Sequence, residues 1–372
     1  MNPFFFPRLG GIERRIYHLG RELAARGHRV TVLTGGAPAG SRGPVHERMD
    51  GFDVVRVPTR RLPVRWDPPV ERARGVAQAL AGLDADLVDF HYRWAPEWAR
   101  AVGRSGAAWV FTWHNQFGEG SGLLRPLSLL NDAGYRRRVQ AGARAVVCVS
   151  DHIRRELEGR RFRPDRLEVV ENGAQRPTPG GPEWQPDDGR ALPQAPYFVA
   201  VGRLTVEKGN DRVLRAFAHA VRGGADARLV LCGRGPQLGR LRRLAASLGV
   251  QGRVTFGGWV PEATKWRLLE GATAMVHMAR FESYGIAVAE GIVAGLPVVA
   301  ADVGGVAEVA GPAGVMVPPA DAEAAGAALA RLALDPAWRG ELARRARARA
   351  PSLGWASVAQ RMEQVYARAL AS

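Results

Sequence analysis

AMVHMARFESYGIAVAEGIVAGLPVVAAD, residues 274–302, reads as a strand, a loop, a helix and a second strand in succession. The run AMVHMA (274–279) is apolar and ends just before the loop. Ser283, Gly285 and Ala287 leave little bulk around a helix start expected near Tyr284–Gly285, and PVVAAD (297–302) resumes as a strand. The same alternation runs along the chain. HRVTVLT (28–34), DVVRVP (53–58), DLVDFHY (86–92), AWVFTWH (108–114), AVVCVS (145–150) and LEVVEN (167–172) form one series of strand candidates. YFVAVG (197–202), ARLVLCG (227–233), RVTFGG (253–258) and the two strands of the opening stretch form another. Helical patterns lie between them; in residues 11–26, Ile12, Ile16, Leu19 and Leu23 mark one apolar face. Strands alternating with helices, with few hairpin signals, predict parallel sheets wound on both faces.

Residues 176–196, RPTPGGPEWQPDDGRALPQAP, are rich in Pro and Gly and poor in strand formers, and read as a linker. The expected architecture is α/β: two Rossmann-like, doubly wound parallel-sheet domains, 1–175 and 197–350, facing a central cleft. Ligands are expected at the carboxyl ends of the strands. The segment 351–372 is expected to end the chain as a helix packing back toward the first domain. A chain of 372 residues is too long for one core, which agrees with two domains.

Bulk properties exclude several classes. No apolar run approaches the ~20 residues of a membrane span, and Arg8 and Glu13 interrupt the opening apolar stretch, so no signal peptide is expected. Cys148 and Cys232 both lie inside apolar runs and read as small buried residues in a reducing, cytoplasmic setting. The net charge of +16 invites a nucleic-acid or membrane reading. Its even spread argues against one: residues 1–175 carry 28 basic against 19 acidic side chains, and residues 176–372 carry 24 against 17. No nucleic-acid partner is expected, and loose peripheral contact with anionic lipid stays open. Of the 52 basic residues only Lys208 and Lys265 are lysines. A chain that writes almost every cation as Arg keeps a compact ammonium at two places, which marks both as candidate contacts.

The chemistry concentrates at strand ends. Glu282 lies in the loop after AMVHMA and Glu290 about two turns into the following helix. The bare helix start suits a phosphate. Glu282 is placed to accept from sugar hydroxyls and Glu290 from a ribose, and an unpaired charge within IAVAEGIVAGL would be costly. In VGRLTVEKGNDRVLRAF (201–217), Arg203 and Lys208 sit between a strand and a helix, placed to neutralise the charge that develops on a departing diphosphate. Gly10-Gly11, in PRLGGIERR, opens a helix where backbone can approach a ligand. His114 ends the strand AWVFTWH; His91, at another strand end, is a weaker candidate. Asp84-Ala85-Asp86 precedes a strand and reads as a turn, and no Walker motif or Cys/His cluster appears.

These motifs resemble the large retaining glycosyltransferase family 4, of GT-B fold, over nearly the whole chain. PFFFPRLGGIE is similar to the family's opening Gly-Gly loop, VFTWHNQF to its strand-end His segment and VVENGA to its Asn-Gly segment. VGRLTVEKG resembles the Arg/Lys diphosphate loop, and LCGRGP and FESYGIAVAEGIVAGLPVVA follow in order. The resemblance implies a hexosyltransferase that moves a sugar from a UDP- or GDP-sugar donor to an acceptor hydroxyl, without metal or other cofactor. It implies that Arg203 and Lys208 bind and activate the diphosphate, that Glu282 meets the donor sugar and that Glu290 binds the ribose. Gly202, Ser283, Tyr284 and the backbone of Gly285 and Ile286 would line the donor site. Gly10 and Gly11 would line it too, His114 would lie near the transferred sugar or acceptor, and Lys265 would approach the base.

Family members open with a strand ahead of the Gly-Gly loop, whereas here Met1-Asn2 leads almost directly into PFFFP, so a mis-assigned or truncated start is expected. Two rival readings remain: a nucleotide-sugar 2-epimerase of the same fold, and a non-catalytic basic scaffold. The acceptor (glycan, lipid-linked or small molecule) has no readable code; the loops around 116–135 carry none.

Overall fold

A computed structural model describes residues 1–8, 10–61, 71–117, 124–177, 186–187 and 196–372. Most of the predicted linker, and part of the 116–135 stretch, lie outside the described residues. The chain forms two compact units, Met1–Asn172 with Trp355–Ser372, and Gly173–Gly354.

Among the described residues the first unit holds nine strands: β1 (Thr31–Thr34), β2 (Val45–Met49), β3 (Phe52–Arg56), β4 (Thr59–Arg61), β5 (Glu71–Ala73), β6 (Leu87–Phe90), β7 (Ala108–Trp113), β8 (Ala145–Cys148) and β9 (Leu167–Val169). β6-β7-β8-β9 form a parallel sheet, and β1-β3-β2 a smaller one in which β1 and β3 run parallel. Residues 1–3 stitch the two together. Asn2 N–H donates to Leu33 O and Gly35 N–H to Pro3 O on one side, while His91 N–H donates to Met1 O on the other.

Two antiparallel pairs stand beside these parallel ones. β2 runs antiparallel to β3, and β4 to β5. The β2–β3 turn is Asp50-Gly51, with φ of 42° and 96°, the two positive values that a two-residue hairpin turn demands. The helix Gly11–Ala25 and the helix Trp355–Ala371 close the sheet: Leu19 and Leu23 of one meet Val358, Ala359, Met362 and Val365 of the other over Val110 and Val147. Arg15 is fully buried, and its guanidinium donates to Val170 O (3.1 Å), Glu171 O (2.9 Å) and Asn172 Oδ1 (2.9 Å). Those charge-assisted bonds offset the desolvation of the cation.

The second unit is one six-stranded parallel sheet: β10 (Tyr197–Val201), β11 (Arg228–Cys232), β12 (Val254–Gly258), β13 (Ala274–His277), β14 (Val298–Ala301) and β15 (Gly314–Val317), in the order β12-β11-β10-β13-β14-β15. Phe198, Leu229, Leu231, Val276 and Val299 are buried in its core, each large apolar side chain contributing about 1.5–3 kcal/mol. The chain leaves β10 for β11 on one side and returns to β13 on the other. The topological switch point therefore falls between β10 and β13, where open parallel sheets bind ligands beyond the strand carboxyl ends. Both cysteines are buried and unbridged. No helix among the described residues is long and apolar enough to cross a membrane.

Candidate functional site

The loops that follow β10 and β13 flank this switch point. The β10 loop carries Gly202, Arg203 and Lys208 and ends at Gly209, the N-cap of the helix Asn210–Arg222, in the left-handed region at φ 62°. A Cβ at Gly209 would stand 1.9 Å from Met278 O, so only glycine lets the two loops close on each other. Arg280 fastens the contact: its backbone N–H donates to Glu207 O (2.8 Å), and its guanidinium grips the Asp211 carboxylate at 2.8 and 2.7 Å.

Lys208 and Glu282, 74 residues apart in sequence, meet across this junction with Nζ 2.6 Å from Oε2. His277, at the end of β13, places Nε2 3.4 Å from the same oxygen. That nitrogen is buried, and its approach to the carboxylate is long for a hydrogen bond yet close enough to lower the Glu282 pKa. Burial pushes the Glu282 carboxyl up, but His277 and the Lys208 charge outweigh it and hold the group at about 2. The carboxylate is thus an acceptor at physiological pH and a poor general acid. Arg203 is exposed and, among the described residues, makes no ion pair; its carbonyl accepts from Asn210 Nδ2 at 3.2 Å. Ser283 and Tyr284 are buried, and Gly285 caps the helix Ile286–Val293 at φ 101° with no side-chain cap.

Glu290 differs from its sequence reading in one respect: its charge is compensated. Lys265 Nζ lies 2.6 Å from Glu290 Oε1 and 2.8 Å from Glu262 Oε2. Lys265 and Glu290 are both buried, so the second rare lysine is committed to a buried ion pair rather than presented to solvent.

In the first unit Gly10 caps the helix that starts at Gly11, as an extended residue. The Glu13 carboxylate reaches back to the Gly10 N–H, and a Cβ on Gly10 would lie 2.3 Å from Glu13 Oε2. The glycine therefore admits its own helix's carboxylate, half of a capping box. His114 is buried at the end of β7, and its Nε2 lies 3.0 Å from His91 Nδ1. Tyr92, Arg93, Trp94 and Asn115 line a small hollow beside the two rings. Burial holds both rings well below the ordinary value of 6.5, helped for His91 by the Met1 ammonium and Arg15, and for His114 by His91, Arg15 and Arg93. Both are neutral when folded and take up protons when unfolded. The stability they give is complete above pH 6.5 and is lost as pH falls below it toward their folded values. Urea melts stepped from pH 8 to 5 are expected to show that loss setting in near pH 6.5, at up to about 1.4 kcal/mol per pH unit for each ring. A flat profile would mean that the rings titrate normally.

A larger hollow, ≈ 850 Å³, lies in the second unit beside Tyr197, Gly271, Pro297 and Arg347. It opens where β10, β13 and β14 begin, at the sheet edge opposite the charged loops, and takes no part in the arrangement above. His277, Arg280 and Asp211 were not singled out from the sequence; only the strand-end position of His277 carried any signal.

A parallel sheet whose switch point is flanked by loops bearing a cation and a carboxylate has the form of a ligand-binding α/β domain. The comparisons specify it. Residues 9–175 match the family described as Glycosyltransferase Family 4, and residues 185–352 the one described as Glycosyl transferases group 1. The D-inositol 3-phosphate glycosyltransferase of Streptosporangium roseum is 31% identical, over 98% of this chain and 89% of its own. The GDP-mannose-dependent alpha-(1-6)-phosphatidylinositol dimannoside mannosyltransferase of Mycobacterium tuberculosis is 28% identical, over 80% and 77%. HepE of Anabaena, solved in complex with UDP, shares the fold with a TM-score of 0.75 at 17% identity over 98% of each chain. The chain belongs to glycosyltransferase family 4: it is a GT-B enzyme that transfers a sugar from a nucleotide-sugar donor.

Proposed function

We propose that this enzyme transfers a hexose from a GDP- or UDP-sugar to an acceptor hydroxyl with retention at the anomeric carbon, and that it needs no metal to do so. The observation that carries the reading is the Lys208–Glu282 pair across the switch point, with Arg203 on the same loop. As the bond from the anomeric carbon to the diphosphate oxygen breaks, Lys208 and Arg203 supply the positive charge that the leaving group needs. The acceptor oxygen bonds to the same face of that carbon, and its proton passes to the departing diphosphate, so no protein base is required. Glu282 receives a donor-sugar hydroxyl, its ionised state fitting it to accept rather than to donate. The helix start at Gly285–Ile286 offers backbone N–H groups to the phosphates.

The relatives support the donor class, one by its named GDP-mannose dependence. The acceptors named for both relatives carry an inositol ring, which makes inositol phosphates the first acceptors to try. Thermal-shift titration with GDP, UDP, ADP and their sugars tests the donor site. At about 100 times Kd, a true ligand stabilises by ~2.7 kcal/mol, roughly 5–11 °C for a unit of this size. Turnover that survives EDTA, and a product whose anomeric configuration matches the donor's, complete the case. No shift with any diphosphate would refute the donor site, and loss of turnover in EDTA would refute the metal-free mechanism.

A further inference from the structure

His114 does not stand alone in the first unit. Its Nε2 meets His91 Nδ1 at 3.0 Å, and His91 Nε2 faces Asp89 Oδ2 at 3.5 Å. Asp89 is held from two further directions: Thr112 Oγ1 donates to Oδ1 at 2.8 Å, and Tyr366, from the C-terminal helix, donates to Oδ2 at 2.7 Å. Asp89 itself lies on β6, and its three partners come from the turn after β6, from β7 and from the helix Trp355–Ala371, so the carboxylate is fixed before any ligand arrives.

We infer that Asp89 and His91 are positioning residues that lock His114 into one neutral tautomer, protonated on Nε2 with its lone pair on Nδ1, so that it meets a substrate hydroxyl as a hydrogen-bond acceptor. A carboxylate offers only lone pairs. If His91 turned a bare Nε2 toward Asp89, two lone pairs would oppose each other at 3.5 Å. With the proton on Nε2 the contact is attractive, and a neutral imidazole then has its lone pair on Nδ1. That lone pair must receive a proton from His114, which fixes the hydrogen on His114 Nε2 and leaves Nδ1 bare. A second proton on either ring is opposed by burial and by the neighbouring Arg15, and at His114 by Arg93 as well; Asp89 acts on His114 in the other direction. His114 therefore brings a lone pair to the reaction and no positive charge. The functional half of this inference rests on the glycosyltransferase reading above, extended to place His114 near the transferred sugar or acceptor; the tautomer itself does not.

Long-range ¹H–¹⁵N correlation of the ring nitrogens reads the tautomer directly in the intact protein, with His114→Asn identifying the His114 signals among the 8 histidines. The expected result is a neutral His114 carrying its hydrogen on Nε2 alone. His91→Leu removes the acceptor, so an Nδ1-protonated population is expected to appear, with kcat/KM about tenfold lower, the cost of one lost substrate hydrogen bond. His91→Asn, whose carboxamide oxygen can stand in for Nδ1, is expected to restore both. Wild-type His114 protonated on Nδ1, or a tautomer unmoved by His91→Leu, overturns the relay. A shifted tautomer with unchanged kcat/KM keeps the relay and overturns instead the placing of His114 at the substrate. The wild-type spectrum decides the first point even where a variant folds poorly.

Discussion

Replacing Lys208 with alanine is expected to lower kcat by 10²–10³, the usual loss when one preorganised charge is removed from a developing anion. The variant has a complication that the structure makes plain. Lys208 also compensates Glu282, whose side chain is only 16% exposed, so the alanine strands a carboxylate and raises its pKa. A fall in activity could then come from a disturbed loop. Arg203→Ala separates the two effects, because Arg203 is exposed and makes no ion pair among the described residues. Its loss is expected to leave the melting temperature within the range of ordinary surface changes, about 0.5 kcal/mol, while kcat falls on the same scale as for Lys208. Nucleoside diphosphate release, assayed beside thermal melts, checks both. Arg203→Ala with near-normal turnover would remove it from the diphosphate site, and near-normal turnover in Lys208→Ala would do the same for the lysine.

Much of this was legible before any coordinates, and the reason is local. β10, β11, β13 and β14 are short, mainly apolar runs (YFVAV, RLVLC, AMVH and VVAA), because strands covered on both faces have little polar side to show. Loops bearing Arg203, Lys208 and Glu282 could be placed because each follows such a run. The hairpin of the first unit was missed although its signal was present. Val45–Met49 alternates half-buried and exposed residues, and Met49-Asp50-Gly51-Phe52 is a two-residue turn sequence. What the sequence withheld are the partnerships. Nothing in residues 203–209 says that Lys208 ends on a carboxylate 74 positions away, and nothing at His91 says that its ring nitrogen meets His114. Glu290 illustrates the cost of reasoning without partners: its apolar neighbourhood implied an expensive bare charge, and the fold supplies Lys265 from the preceding helix–strand segment.

That buried pair gives the largest stability effect expected in the molecule. Lys265→Met is expected to destabilise by about 3–5 kcal/mol, the usual result of leaving one member of a buried ion pair uncompensated. For a unit of this size the melting temperature falls by roughly 6–20 °C. Glu290→Gln should cost less, because Lys265 keeps Glu262 at 2.8 Å, whereas loss of the lysine leaves two carboxylates facing the space it filled. The double replacement Lys265→Met/Glu290→Leu removes both charges together, and well-packed apolar substitutes for buried ion pairs are commonly neutral or stabilising, so most of the lost stability should return. Nucleotide binding then discriminates between two uses of the pair. If Glu290 meets the ribose, the double variant melts near the wild type yet shows no thermal shift with the diphosphate that stabilises the parent. If it melts and binds like the parent, the pair serves the fold alone and the donor site lies with Arg203, Lys208 and Glu282.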